Sequence, residues 1–121
     1  MKRSMMQMYV KNSAEAVELY QEAFHATIGN EHRNSDGSYM HAELNAYGQI
    51  LAISEASDDI IIGNNMQFCL HFEENEIARV YYAYEVLKDG AKILYPIGEC
   101  FFSKNMFGLI DKFGINWCIF N

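Results

Sequence analysis

The sequence predicts an α+β fold of two tandem βαβββ modules whose sheets curve around a cleft. Two stretches carry apolar residues at helical spacing, "NSAEAVELYQEAFHATIG" and "NEIARVYYAYEVLKDG", half a chain length apart. Strand-like segments that begin alike precede them, "MQMYV" from Met6 and "MQFCL" from Met66. Apolar runs punctuated by turn residues follow each one. With 121 residues, half of them hydrophobic and 14% aromatic, the chain has the material for one domain over 1–121, its first module about 1–61 and its second about 62–121.

In chain order, Asn12 is placed to cap the first helix, with Glu15 three residues on as a capping-box partner. Val17, Tyr20 and Phe24 then form its apolar stripe before Gly29. "NSDGS" at 34–38 and "YG" at 47–48 separate the strands that follow. "SDDIIIGNN" breaks the pattern between modules. Asn75 is placed to cap the second helix, whose stripe is Ile77, Val80, Tyr81, Tyr84 and Leu87, and Gly90 supplies a left-handed stop. "PIG" at 96–98 and "DKFG" at 111–114 are the last turns. The final "DKFGINWCIFN" reads as a hairpin with Gly114 left-handed or bulged, feeding a strand held in the module rather than frayed.

One helix and four short strands cannot cover both faces of a sheet, so the modules must pack together and leave a cleft. Alternation assigns Met66, Phe68 and Leu70 to the helix side of the fifth strand, and Gln67, Cys69 and His71 to the cleft. On the last strand Ile115, Trp117 and Ile119 suit the core, leaving Asn116, Cys118 and Phe120.

A net charge of −7, with Lys and Arg scattered, argues against binding nucleic acid or an anionic membrane. No run approaches the roughly 20 apolar residues of a membrane span, and no signal-peptide stretch follows "MKRSMM". Three cysteines form neither an even framework nor a CxxC pair, which suits a reducing compartment. The expectation is a soluble, cytoplasmic protein whose partners are a small molecule and a second copy of itself.

Over nearly its whole length the chain resembles PhnB-like proteins of the glyoxalase, bleomycin-resistance and dioxygenase superfamily, also called vicinal oxygen chelate proteins. "NSAEAVELYQEAF" resembles the first helix, "YMHAEL" the third strand, "GQILAISEA" the fourth, and "LIDKFGINWCI" the closing turn and strand. The family's Phe-Trp pair stands here as Phe101 and Phe102. The resemblance implies paired modules whose mixed sheets wrap a cavity, and assembly as a homodimer. Many such proteins hold a divalent metal through one ligand from the first and last strand of each module. By position those ligands fall at Met5, Ala52, the Met66–Gln67 pair and Cys118. A thioether, a methyl and an amide cannot replace His and carboxylate ligands, so no metal cofactor is expected.

Among chemistry-bearing residues, His41 and Glu43 lie two apart on one strand face, with Tyr39 and Asn45 continuing it. If that face lines the cleft, Glu43 can fix the His41 tautomer and make it a general base; otherwise it is the wet face of an antiparallel strand. His71 and Glu73 share this ambiguity. Cys69, His71 and Cys118 could hold zinc, though their spacing matches no zinc motif, or be buried thiols. His25 and His32 read as surface. No phosphate loop or nucleophile elbow is present.

The favoured function is a metal-free small-molecule-binding protein. Its apolar lining is Tyr9, Phe102, Phe107 and Phe120, and its polar anchors are His41, Glu43, Gln67, Cys69, His71 and Cys118. The alternatives are a metal-dependent lyase, isomerase or dioxygenase using His41, Glu43 and His71, and a structural dimer with a vestigial cavity.

Overall fold

Both sheets follow from strand alternation backed by one amphipathic helix each. The computed structural model describes residues 1–121 and comprises two units, Met1–Ile61 and Ile62–Asn121. The first contains β1 (Met6–Val10), α1 (Ser13–Phe24), β2 (Thr27–Arg33), β3 (Tyr39–Ala46) and β4 (Gln49–Glu55), with sheet order β1-β4-β3-β2. The second contains β5 (Phe68–His71), a 3-10 turn (Glu74–Glu76), α2 (Ile77–Leu87), β6 (Lys92–Gly98), β7 (Met106–Ile110) and β8 (Asn116–Phe120), in the order β5-β8-β7-β6. Within each unit the first and last strands pair in parallel and the other pairs are antiparallel. This is the predicted α+β class with two mixed sheets.

Period-2 burial defines the side each sheet gives its helix. In the first unit Met8, Val10, Leu44, Leu51 and Ile53 are buried with Val17, Tyr20 and Phe24 of α1. Full burial of each such side chain contributes roughly 1.5–3 kcal/mol. In the second unit Val80, Ala83 and Leu87 of α2 are buried with Phe107, Leu109, Trp117 and Ile119. Tyr84 of α2 meets Phe107 edge-on, with ring centroids 5.0 Å apart.

The helix ends differ from expectation: one cap comes from a distant strand and two from neighbouring residues other than those expected. Asn12 is left-handed (φ 62°) and makes no side-chain cap. The Glu55 carboxylate, at the end of β4, instead accepts the N–H groups of Asn12 and Ser13 and the Ser13 hydroxyl at 2.8–3.1 Å. α1 stops at Phe24, not near Gly29, because His25 turns left-handed and its N–H closes onto the Gln21 carbonyl. Glu73, not Asn75, begins the second helical segment through a capping box with Glu76. Ile77 and Tyr81 stay largely exposed, and Tyr81 reaches Asn105 through its hydroxyl.

Tyr47 and Gly48 both have positive φ, the pattern of the two-residue turn that matches strand twist, and they join β3 to β4. "PIG" is not a turn: Pro96 lies within β6, an edge strand with register shifts where a missing N–H is tolerated. β5 begins at Phe68, leaving Met66 exposed rather than on the helix side. A register shift between His32 and Arg33 inserts Met40 into β3, so Met40 is exposed while Tyr39 is buried, the reverse of the alternation read from sequence.

The last hairpin turns on Asp111, which is 4% exposed. Its Oδ1 accepts from the N–H groups of Phe113 and Ile115, and its Oδ2 accepts from the Trp117 indole at 2.9 Å. Gly114 has φ +88°, and an added Cβ would lie 2.9 Å from Ile62. β8 is therefore paired on both sides, to β5 and β7, up to Phe120. Trp117, fully buried and edge-on to Phe68 at 5.8 Å, should cost about 3–5 kcal/mol of unfolding free energy when replaced by Ala. Denaturant titration reads that loss, and an unchanged midpoint would contradict the assignment.

Candidate functional site

The sides of the sheets turned away from the helices carry the chemistry-bearing residues, and each unit has its own set. In the first unit the register aligns Gln7, Ala52 and Glu43 in one row across β1, β4 and β3, with Tyr9 and Ser54 in the next. Gln7 donates its amide to the Ser54 hydroxyl at 3.1 Å. Tyr9 is exposed. Glu43 is 7% exposed and doubly held. Arg3 donates to both of its oxygens at 2.9 Å in a bidentate pair, and His41 Nε2 lies 3.1 Å from Oε1. The Arg3 guanidinium is the main reason the Glu43 carboxyl is held down at about 2, with His41 second.

The His41–Glu43 pairing read from spacing is therefore present, but with a third member that spacing could not show. Arg3 stands forty residues away in sequence, before the first strand. With Arg3 on one side and His41 on the other, Glu43 is a fixed anion that orients His41, not a proton carrier near neutral pH. Asn45 is exposed and donates nothing to this network; its Oδ1 accepts from the Gly48 N–H of the turn.

In the second unit Cys69, Cys118 and Gly108 share one row across β5, β8 and β7, and His71, Phe120 and Met106 the next. The His71 ring stacks on Phe120 at 4.4 Å, Phe102 meets Phe120 edge-on at 5.1 Å, and Phe101 meets Phe102 at 5.0 Å. Gln67 donates to Asn116 at 3.1 Å. Phe107 is on the opposite side: it is fully buried against α2, because it shares the row of Ile119, and so it leaves the set of ligand-facing residues. Burial pushes the Cys118 thiol up to about 11, with Cys69 and then Cys100 adding to the effect. At the row's far end the Tyr95 ring packs over Gly108, where an added Cβ would come within 3.1 Å of it.

A cavity of about 690 Å³ opens beside this aromatic ladder. His71, Cys100, Phe101 and Phe102 line it together with Ser103, Asn105 and Asn121, and its charged residues are Glu73, Glu74, Glu99 and Lys104. Ser103 donates its hydroxyl to the Asn121 carbonyl at 2.7 Å, which fixes the last residue at the cavity wall. Sequence reading passed over Cys100, Ser103 and Asn121, since nothing local marks a loop residue that meets the chain end.

The positions that the resemblance assigns to metal ligands do not fit a divalent ion. Ala52 has no donor atom and is fully buried, Met5 offers a thioether, and the Cys118 thiol is held protonated. Glu43 is committed to both His41 and Arg3.

Acid should release the first network in a defined direction. Because Glu43 is held at about 2 against an ordinary 4.5, its pairing stabilises the fold fully above about pH 4.5 and is lost as pH falls toward 2. Replacing Arg3 by Ala should return the Glu43 titration toward the ordinary range, as read by carboxyl NMR. A wild-type midpoint near 4.5 would contradict the network.

No family model matches the sequence, and no curated protein matches it. Solved structures do. A PhnB protein from Bacillus cereus is 22% identical with a TM-score of 0.81, over 99% of this chain and 98% of that one. Protein PA1353 from Pseudomonas aeruginosa is 18% identical with a TM-score of 0.81, over 99% and 97%. The fosfomycin resistance protein FosX from Listeria monocytogenes, in a complex with Mn(II) and 1S,2S-dihydroxypropylphosphonic acid, is 14% identical with a TM-score of 0.72, over 98% and 90%. The paired βαβββ units, the parallel closure of each sheet by its first and last strands, and these matches along the whole chain together give the protein the glyoxalase, or vicinal oxygen chelate, fold.

Proposed function

We propose that this chain is a metal-free, small-molecule-binding protein of the PhnB-like kind, its ligand seated in the second unit against Phe102 and His71, both of which pack on Phe120. The observation that carries this reading is the aromatic ladder beside the 690 Å³ cavity. A cavity of that size suits a small organic molecule. Phe101 is 98% exposed and Phe102 50%, and contiguous exposed apolar surface on a soluble fold marks a place of binding. Three carboxylates of the lining against the single Lys104 ammonium favour an uncharged or cationic ligand over an anion. The Mn(II) and phosphonate of the FosX complex are not carried over, since neither the donor set nor the rim charge suits them.

His41, oriented by Glu43, supports a second reading as a general base in a metal-independent reaction. A second copy of the chain is the proposed protein partner. It would cover β6, an edge strand that exposes Ile93, Leu94 and Tyr95.

A thermal-shift screen of flat aromatic amines and neutral aromatics should find compounds that raise Tm, and Phe102→Ala should abolish the shift while keeping the apo Tm. Added nickel, manganese or zinc should leave Tm unchanged. A panel without hits, or about one tightly held metal ion per chain by elemental analysis, would contradict the binding reading. Light scattering tests the partner separately: a mass of 13.9 kDa at micromolar concentration would rule out the dimer.

A further inference from the structure

The second sheet places Cys69 and Cys118 in an arrangement that the proposed ligand seat at Phe102 and His71 does not use. Cys69 and Cys118 are directly opposite one another on β5 and β8, in the same row and on the side away from α2. Neighbouring strands lie about 4.8 Å apart, inside the roughly 4.4–6.8 Å between Cα atoms that a disulfide spans. Both thiols are free; Cys69 is exposed and Cys118 half-buried. Gly108, opposite Cys118 on its other flank, presents no side chain, so Cys69 supplies the facing side chain across the ladder.

We propose that Cys69 and Cys118 form a peroxide-sensitive dithiol that closes to an intrachain disulfide between β5 and β8. The roles divide by environment. Cys69 meets solvent and is the sulfur that a hydroperoxide reaches; Cys118, shielded, is the resolving thiol. In the first step the Cys69 sulfur attacks the terminal peroxide oxygen, the O–O bond breaks, and the alcohol or water leaves carrying the Cys69 proton, so that Cys69 becomes a sulfenic acid. In the second step Cys118 sulfur attacks Cys69 sulfur, the S–O bond breaks, and the hydroxyl leaves as water with the Cys118 proton. The balance is two thiols and one hydroperoxide giving one disulfide, one alcohol (or water) and one water. The raised affinity of Cys118 for its proton makes the second step the slower one, so sulfenic acid accumulates before the bridge closes. At about 4.8 Å the strand spacing lies at the short end of the Cα separations a disulfide spans, and a bridge away from the preferred geometry is one that thiols reopen readily.

The test uses the full chain. One equivalent of hydrogen peroxide is added to reduced protein, remaining thiols are blocked with iodoacetamide, and the unreduced digest is mapped by mass spectrometry. The expected product is the Cys69 peptide cross-linked to the Cys118 peptide, with the intact chain lighter by two hydrogens and dithiothreitol restoring both thiols. Early quenching with dimedone should label Cys69. Cys100→Ser should form the same bridge; Cys69→Ser and Cys118→Ser should not. A bridge to Cys100, a disulfide between chains, or sulfinic acid at Cys69 with Cys118 still alkylatable would each overturn the proposal. The wild-type map alone decides among these, whatever the folding of the variants, and it is independent of whether the cavity binds a ligand.

Discussion

The Asp111 carboxylate is buried and accepts from donors that the closing hairpin itself supplies, two backbone N–H groups and the Trp117 indole. A buried polar group left without partners is costly, so these hydrogen bonds favour one arrangement of the turn and of the strand after it. That arrangement fixes the register of β8 between β5 and β7. Slipping it by one residue would send Cys118 and Phe120 to the helix side and bring Trp117 out. The row of thiols, the aromatic ladder and the cavity wall at Asn121 all stand downstream of this one residue.

Carboxylates do comparable work at two other places. Glu55 closes the N-terminus of α1 from the end of β4, and Glu43 binds the segment before β1 onto β3 through Arg3. In each case the anion joins parts of the chain about forty residues apart. An acidic chain thus spends some of its charge on internal joints, where hydrogen bonds to a charged acceptor are stronger than neutral ones.

What the sequence reveals and what it hides divide along the same line. Val17, Tyr20 and Phe24, the Tyr47–Gly48 turn and the left-handed Gly114 are legible because the terms that decide them act within a few residues. The caps at Asn12 and Asn75 look equally legible and are misplaced, since Glu55 outcompetes a local Asn for the first and Glu73 begins one turn earlier for the second. The single extra residue at Met40 inverts Tyr39 and Met40 with no sequence mark, because bulges answer to the partner strand. At the candidate site His41 with Glu43, and Cys69 with Cys118, follow from alternation. Arg3, Cys100 and the inward Phe107 do not, since they depend on tertiary placement or on the row a strand shares with its neighbour.

The parallel pairing of first and last strands bears on the order in which the chain can fold. In each unit the central strand of the ladder is the one made last: β4 stands between β1 and β3, and β8 between β5 and β7. Until that strand arrives, β1 and β5 have no partner and their backbone groups are met by water alone. The hairpins of β2 with β3 and of β6 with β7 close through short local loops, whereas the parallel ladders must first bring together residues such as Met8 and Ile53. Loop-closure entropy sets the pace of that step, so each sheet is completed by a long-range search at its very end. On the ribosome the first unit can complete its sheet once Glu55 has emerged, and the second only once β8 has.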